Sequence, residues 1–204
     1  MNYIYTNNWF EGNAKHIWDG FIPLINSTRI LEIGSYEGAS ASYFIENIAR
    51  DKNIELHCID TWDGGIEHVN EDMLQIEKRF YYNTNIANKK VFNNAELIVH
   101  KECSDVALSK LIAEGKLGYF DFIYIDGSHQ APDVLCDAIL SFRLLKNNGF
   151  MVFDDYLWYE ALSYGTDPIR CPKIAIDAFT NIYCRKVKII NAPLCQLFVQ
   201  KISD

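Results

Sequence analysis

The stretch from residue 120 to residue 156 decides the fold, and it reads FDFIYIDGSHQAPDVLCDAILSFRLLKNNGFMVFDDY. Two runs rich in β-branched and aromatic residues, Phe120–Asp126 and Phe150–Phe153, flank a segment from Pro132 to Leu145 that has the pattern of a helix. Because strand, helix and strand in succession form a right-handed crossover, the two strands are predicted to lie parallel. The second strand runs directly into two adjacent aspartates, whose mutual repulsion needs an explanation.

The same alternation of strands and helices extends through the rest of the chain. The other predicted strands of this series are Arg29–Gly34, Ile54–Asp60 and Ala95–His100, and the predicted helices are 39–49, 71–82, 106–113 and 174–183. The last two strands, 186–190 and 196–200, are separated by a gap that is too short for a parallel crossover, which predicts an antiparallel hairpin. The fold class is therefore predicted as α/β, with a doubly wound, seven-stranded, mostly parallel sheet that ends in a hairpin.

Length and charge limit the domain organisation and the partners. A chain of 204 residues is predicted to form one domain, 1–204, with residues 1–28 as an N-terminal helical or lid segment. The net charge of −8 and the lack of a basic stripe argue against nucleic acid as a partner. No apolar run is long enough to span a bilayer and no secretory signal is present, so we expect a cytoplasmic protein without a membrane partner. The six cysteines show no metal-ligand spacing and are expected to be reduced thiols.

The glycines after the first strand are the first candidate ligand-binding feature. Ligands of such sheets bind outside the carboxyl ends of the strands, and here Glu32 is followed by Gly34, Ser35 and Gly38. Glycines let the backbone approach a ligand closely, and the Glu32 carboxylate can accept hydrogen bonds from an ammonium group. The alternative is a plain strand-to-helix turn that needs a positive φ. The spacing is not that of a dinucleotide fingerprint.

Polar residues also follow the second and third strands. Asp60 stands where a carboxylate can accept both hydroxyls of a ribose, although an aspartate at a strand end is usually a turn residue. Thr61 and Trp62 come next, and the Trp62 ring can either cover an adenine face or pack within the loop. Ser104 follows the third strand and can cap a helix, contact an adenine edge, or do both.

Carboxylates are concentrated after the fourth and fifth strands. Asp126 ends the fourth strand, with His129 nearby, and Asp154 and Asp155 end the fifth. Because these strands are predicted neighbours, the three carboxylates are expected to converge, and their repulsion in a dry cleft would be costly. A hard divalent cation such as Mg²⁺ or Ca²⁺ would remove that cost. The alternative is a set of capping aspartates without an ion.

These segments resemble the class I S-adenosylmethionine-dependent methyltransferases, and more narrowly the macrocin-type sugar O-methyltransferase family. The resemblance lies between about residues 29 and 156, in ILEIGSYEGAS, LHCIDTWDGG, KECS and the long block quoted above. It implies a cofactor-binding set of Glu32, Gly34, Ser35, Gly38, Asp60, Thr61, Trp62, Ser104 and Asp126. Metal-dependent relatives imply Mg²⁺ ligands at Asp126, Asp154 and Asp155. Two positions depart from the family: Ala131 replaces a frequent aromatic residue, and many relatives carry His-Asp at the acidic pair.

The chemistry implied by the resemblance is methyl transfer to a hydroxyl oxygen of a sugar or a phenol. Asp126 is the base that the family implies, and His129 is the second candidate. The acceptor pocket is expected from the loop 156–172 and from N-terminal aromatic residues, namely Tyr3, Tyr5, Trp9, Phe10 and Trp18. These aromatic residues can equally pack the edges of the domain or form a homodimer contact. The alternative function is a non-catalytic methyltransferase-like protein that binds the cofactor or serves as a partner subunit.

Overall fold

The structure is a computed structural model that describes residues 2–204. Its strands are β1 Arg29–Ile33, β2 Ile54–Ile59, β3 Ala95–His100, β4 Phe120–Ile125, β5 Leu145–Phe153, β6 Val187–Ile190 and β7 Leu197–Lys201. Its α-helices are α1 Lys15–Phe21, α2 Ala39–Ile48, α3 Met73–Lys90, α4 Ser104–Ala113, α5 Ala131–Leu144 and α6 Pro172–Ile182. A π-helical turn, Phe10–Ala14, precedes α1, and short 3₁₀ turns occupy Ile22–Leu24, Ile66–His68 and Pro168–Arg170.

The seven strands form one sheet in the order β3-β2-β1-β4-β5-β7-β6. The pairs β1–β2, β2–β3 and β4–β5 are parallel, whereas β7 runs antiparallel to both β5 and β6. The predicted fold class, a mostly parallel sheet that ends in an antiparallel hairpin, is confirmed.

The chain divides into two compact units at Cys103 and Ser104. In the first unit the apolar runs of β1 and β2 are almost wholly buried, as expected for parallel strands covered on both faces. The fully buried Trp18 of α1 packs against Phe44 of α2, with ring centroids 4.7 Å apart. The prediction of a single domain with a lid at residues 1–28 stays a prediction, and residue 1 lies outside the described residues.

The second unit has its core between β4, β5, β7 and the helices α5 and α6. All six residues of β4 are buried. The buried Lys201 of β7 donates from Nζ to the carbonyl oxygens of Phe142, at 3.0 Å, and Leu145, at 2.8 Å. These carbonyls lie at the C-terminal end of α5, where helix carbonyls lack partners within the helix, so the amine stabilises that end.

Two element boundaries differ from the prediction by more than two residues. Helix α3 continues to Lys90 rather than ending near residue 82, because residues 83–90 contain no helix breaker and two lysines in the last turn complement the helix dipole. Strand β5 begins at Leu145 rather than Phe150 and passes through Asn148, whose φ is 66°. None of the helices among residues 2–204 is long and apolar enough to cross a membrane.

Candidate functional site

The loop after β1 depends on glycine for its conformation. Gly34 and Gly38 adopt φ values of 84° and 77°, which a residue with a side chain rarely adopts. A Cβ atom on Gly38 would also lie 3.0 Å from Cδ2 of Phe80 in α3. Both observations support the interpretation of this motif as a strand-to-helix turn, and close approach of a ligand stays a prediction.

Asp60 organises that loop from the end of β2. One of its carboxylate oxygens accepts the backbone N–H groups of Ser35, at 2.9 Å, and Tyr36, at 2.8 Å. The other oxygen accepts the N–H of Trp62 at 2.7 Å. A carboxylate has about four acceptor sites, so Asp60 keeps about one site for a further donor. That site is compatible with a ribose hydroxyl, and binding of ribose stays a prediction.

Glu32 lies beneath the same loop and is fully buried. Its carboxylate accepts the hydroxyls of Ser35, at 2.6 Å, and Ser40, at 2.5 Å, and the Cys58 Sγ lies 3.4 Å away. Burial raises the pKa of Glu32 to about 7 despite these hydrogen bonds. Glu32 therefore supports the loop through its neighbours, and a contact with an ammonium group stays a prediction.

Trp62 packs inside the first unit. Its ring is buried and lies 4.9 Å from that of Phe80, and its indole N–H donates to the carbonyl oxygen of Tyr36 at 2.9 Å. This geometry favours loop packing, one of the two alternatives for Trp62, over coverage of an adenine. The hydroxyl of Thr61 accepts the N–H of Asp63 at 3.1 Å, an interaction within the turn.

The N-terminal aromatic residues do not form one exposed set. Trp18 is fully buried, and Phe10 lies edge-on against it with ring centroids 5.1 Å apart. Trp9, in contrast, is 58% exposed and lies against Tyr36. Tyr36 was missed by the sequence reasoning, although its place between two loop glycines could have suggested a role.

In the second unit, Tyr124 links the carboxylates that follow β4 and β5. Its hydroxyl hydrogen-bonds to Asp154 and lies 3.0 Å from Oδ2 of Asp126. Tyr124 lies in β4, and Asp126 follows the end of that strand two residues later. Side chains two residues apart along an extended backbone point to the same side. That spacing is the signal that could have identified Tyr124 from sequence.

Asp155 faces a histidine rather than the other two carboxylates. His129 Nε2 lies 2.8 Å from Oδ2 of Asp155, and the His129 ring stacks on Trp158 with centroids 4.2 Å apart. The backbone N–H of Asp155 donates to Asp154 Oδ1 at 2.9 Å. A small cleft at this place is lined by apolar residues and by five polar ones, Asp126, Ser128, His129, Asp154 and Asp155.

The electrostatics of this acidic group show a shortage of positive charge. Burial, and then repulsion from Asp154 and Asp155, raises the pKa of Asp126 well above its usual range. Burial, and then repulsion from Asp155, raises the pKa of Asp154 to about 6. A hard cation would relieve both effects, so the chemistry of these oxygen donors fits Mg²⁺ or Ca²⁺.

Only two of the three carboxylates that were predicted to converge share a hydrogen-bonding partner. The Tyr124 hydroxyl bridges Asp126 and Asp154, while Asp155 pairs with His129. Within residues 2–204, no three His, Cys, Asp or Glu residues are grouped as a metal centre. Joint coordination of an ion by Asp126, Asp154 and Asp155 stays a prediction.

Ser104 begins α4 and hydrogen-bonds to Asp137 of α5. Asp137 is buried, and burial raises its pKa to about 7. Sequence reasoning missed Asp137, because a buried aspartate inside an amphipathic helix has no distinguishing pattern. The contact of Ser104 with adenine stays a prediction.

The chain is similar in sequence to a known protein family and to individual proteins. The family described as "Methyltransferase domain" matches residues 31–156. The probable caffeoyl-CoA O-methyltransferase 3 of Dictyostelium discoideum is 26% identical over an alignment of 166 residues, and the alignment covers 77% of this chain and 58% of that protein. The uncharacterized protein R132 of Acanthamoeba polyphaga mimivirus is 27% identical over 64% of this chain and 52% of its own. The chain thus spans just over half the length of these relatives.

Solved structures share the fold. An O-methyltransferase from Bacillus cereus in complex with SAH has a TM-score of 0.63 and 14% identity, covering 94% of this chain and 81% of its own. The O-methyltransferase TomG from Streptomyces achromogenes in complex with SAM has a TM-score of 0.62 and 17% identity, covering 89% and 76%. At these identities the similarity establishes the fold alone.

Proposed function

The chain belongs to the methyltransferase-domain family, and from this premise we propose that it transfers a methyl group from S-adenosylmethionine to a hydroxyl oxygen of a small molecule. The observation that carries the proposal is the pairing of His129 with Asp155 beside the group formed by Asp126, Tyr124 and Asp154. A proton acceptor with an orienting carboxylate is what a hydroxyl needs in order to become a nucleophile. The Dictyostelium relative and TomG are both named as O-methyltransferases, which supports the same choice of acceptor atom.

S-adenosylmethionine supplies a methyl group that its sulfonium already activates, so the protein has to bind, align and deprotonate the acceptor. In the first unit, Asp60 and the loop from Gly34 to Gly38 are the proposed cofactor-binding elements. In the second unit, His129 is a candidate base whose ring is oriented by Asp155 and by stacking on Trp158.

The proposed base is Asp126 or His129. The raised pKa of Asp126 favours its protonated form, which cannot accept a proton while the negative charge around it is uncompensated. The pH dependence of transfer in His129→Gln and Asp126→Asn proteins distinguishes the two roles, because only loss of the base removes the low-pH limb of the rate profile, where the rate rises as that base loses its proton.

We further propose that transfer depends on a divalent cation held by Asp126, Asp154 and Asp155. When bound, such an ion would lower the pKa of the acceptor hydroxyl. The support is the donor chemistry and the mutual repulsion that raises the pKa of Asp126 and Asp154. The proposed acceptors are sugars, which the resemblance to macrocin-type enzymes suggests, and phenols.

Calorimetry tests the proposed function in two steps. S-adenosylmethionine is expected to bind the wild-type protein in the presence of chelator, since the metal would serve the acceptor rather than the cofactor. Absence of binding would contradict a methyltransferase role. Binding without transfer to any hydroxyl acceptor, with the metal present, would favour the non-catalytic cofactor-binding protein or partner subunit instead.

The metal is tested by thermal unfolding. Added Mg²⁺ should raise the melting temperature of the wild type by mass action and leave an Asp154→Ala, Asp155→Ala double variant unchanged. An equal rise in the melting temperature of the two proteins would contradict the metal site and favour the alternative, in which the aspartates only cap the ends of elements.

A further inference from the structure

We propose that Trp9, Tyr36 and His68 form a binding platform that receives the flat face of the methyl acceptor. This set of three rings is called the aromatic platform below, and all three belong to the first unit. The inference rests on the proposed function, because it assigns the acceptor of the same enzyme to a surface.

The three rings are in mutual contact at the surface. The centroids of Trp9 and Tyr36 are 5.4 Å apart, and those of Tyr36 and His68 are 5.2 Å apart in a stacked arrangement. The centroids of Trp9 and His68 are 6.4 Å apart. The indole of Trp9 remains 58% exposed, whereas its neighbour Phe10 packs against the buried Trp18. Trp9 therefore presents a large apolar face without covering the core.

The backbone of Tyr36 indicates that its ring has a function. Tyr36 has a φ of 45°, in the left-handed region that favours glycine, within a loop that already contains two glycines. Hydrogen bonds hold it there: its N–H donates to Asp60 and its carbonyl oxygen accepts the indole N–H of Trp62. A glycine would adopt this conformation without strain, so the side chain itself explains the presence of tyrosine.

The segment that leads to Trp9 is fixed in place. The side chain of Asn83 in α3 accepts the N–H of Ile4 and donates to its carbonyl oxygen, both at 2.9 Å. The carboxylate of Glu37 accepts the N–H of Thr6 at 2.7 Å and its hydroxyl at 2.9 Å. Asn83 and Glu37 are both buried. The approach to Trp9 is thus ordered before a ligand arrives, which reduces the entropic cost of binding.

The chemistry of the platform indicates the class of acceptor. Aromatic faces bind the flat faces of six-membered rings, and a carboxylate accepts hydroxyl groups. The carboxylate of Glu71, which is exposed, lies at the edge of the platform and hydrogen-bonds to the Tyr36 hydroxyl. A ring with a flat face and hydroxyl groups at its edge satisfies both features. Phenolic rings and sugar rings share this chemistry, and the experiment below separates them.

The test measures binding of catechol and of methyl glucoside by ligand-observed saturation-transfer NMR, with and without S-adenosylmethionine. Wild-type protein is expected to bind at least one of the two, and Trp9→Ala is expected to weaken that binding about ten-fold. Phe92→Ala is the matched control, because Phe92 is a fully exposed aromatic residue of the same unit outside the platform. Trp9→Phe keeps a ring and should restore part of the affinity.

The outcomes separate the platform from the proposed function. Binding of catechol alone would identify a phenolic acceptor, and binding of the glucoside alone a sugar acceptor; either supports the platform. Equal affinities in wild type and Trp9→Ala, or no binding of either ring, would overturn it. In that case S-adenosylmethionine binding by calorimetry and methyl transfer would be retained. If wild type failed to bind S-adenosylmethionine, the proposed function would fail, and the assignment of an acceptor would fail with it.

Discussion

At the residue scale, Asp60 is the side chain whose replacement tests the proposed cofactor site most sharply. It accepts three backbone N–H groups and keeps about one acceptor site for a ribose hydroxyl. Asp60→Ala should therefore lower the affinity for S-adenosylmethionine roughly ten-fold and destabilise the protein by about 1–3 kcal/mol. Calorimetry and urea unfolding measure the two effects. Unchanged affinity in a folded Asp60→Ala protein would remove Asp60 from the cofactor site.

Glu32 predicts how stability depends on pH. Burial raises its pKa in the folded protein to about 7, above the ordinary 4.5, so the folded state binds the proton more tightly than the unfolded state. The contribution of Glu32 to the free energy of unfolding is fully favourable below pH 4.5 and is lost as the pH rises through about 7. This change is on the order of 3 kcal/mol. Asp137 and Asp154 act in the same direction. Urea unfolding of the wild type and of Glu32→Gln at several pH values measures this effect. If the free energy of unfolding depended on pH identically in the two proteins, the assigned role of Glu32 would be contradicted.

At the element scale, the packing of the first half of β5 depends on the absence of a side chain at Gly149. A Cβ atom there would lie 2.7 Å from Cδ1 of Leu145 and 2.9 Å from the carbonyl oxygens of Asp121 and Lys146. Since two of these atoms are backbone, Gly149→Ala should destabilise the protein by about 1–3 kcal/mol. Gly20→Ala in α1 is the matched control, because no described atom lies within 4 Å of its Cβ position apart from its chain neighbours and the backbone of its own helix. It should be neutral or stabilise by up to about 1 kcal/mol, as judged by thermal unfolding. Equal effects of the two substitutions would contradict this account of β5.

The elements themselves could largely be predicted from sequence. Apolar runs and their spacing identified all seven strands, and the short gap before β7 identified the hairpin. The pattern did not show that α3 continues to Lys90 or that β5 begins at Leu145, because boundaries depend on capping and on neighbouring strands.

The partners of the candidate residues could be predicted much less well. Sequence reasoning identified Asp126, His129 and the acidic pair as a group, but it did not identify the Tyr124 hydroxyl between two of them. It also did not show that Asp155 lies on His129 rather than on the other carboxylates. Such contacts depend on side-chain conformation and tertiary packing, which a periodic pattern does not contain.

At the scale of the whole molecule, the central claim is methyl transfer that depends on the acidic group of the second unit. The most direct measurement follows a labelled methyl group from S-adenosylmethionine to catechol and to methyl glucoside in three samples: wild type with Mg²⁺, wild type with excess chelator, and the Asp154→Ala, Asp155→Ala double variant with Mg²⁺. Transfer is predicted only in the first sample, with cofactor binding retained in all three. Full transfer in chelator or in the double variant, or transfer to no hydroxyl compound in any sample, would contradict the account.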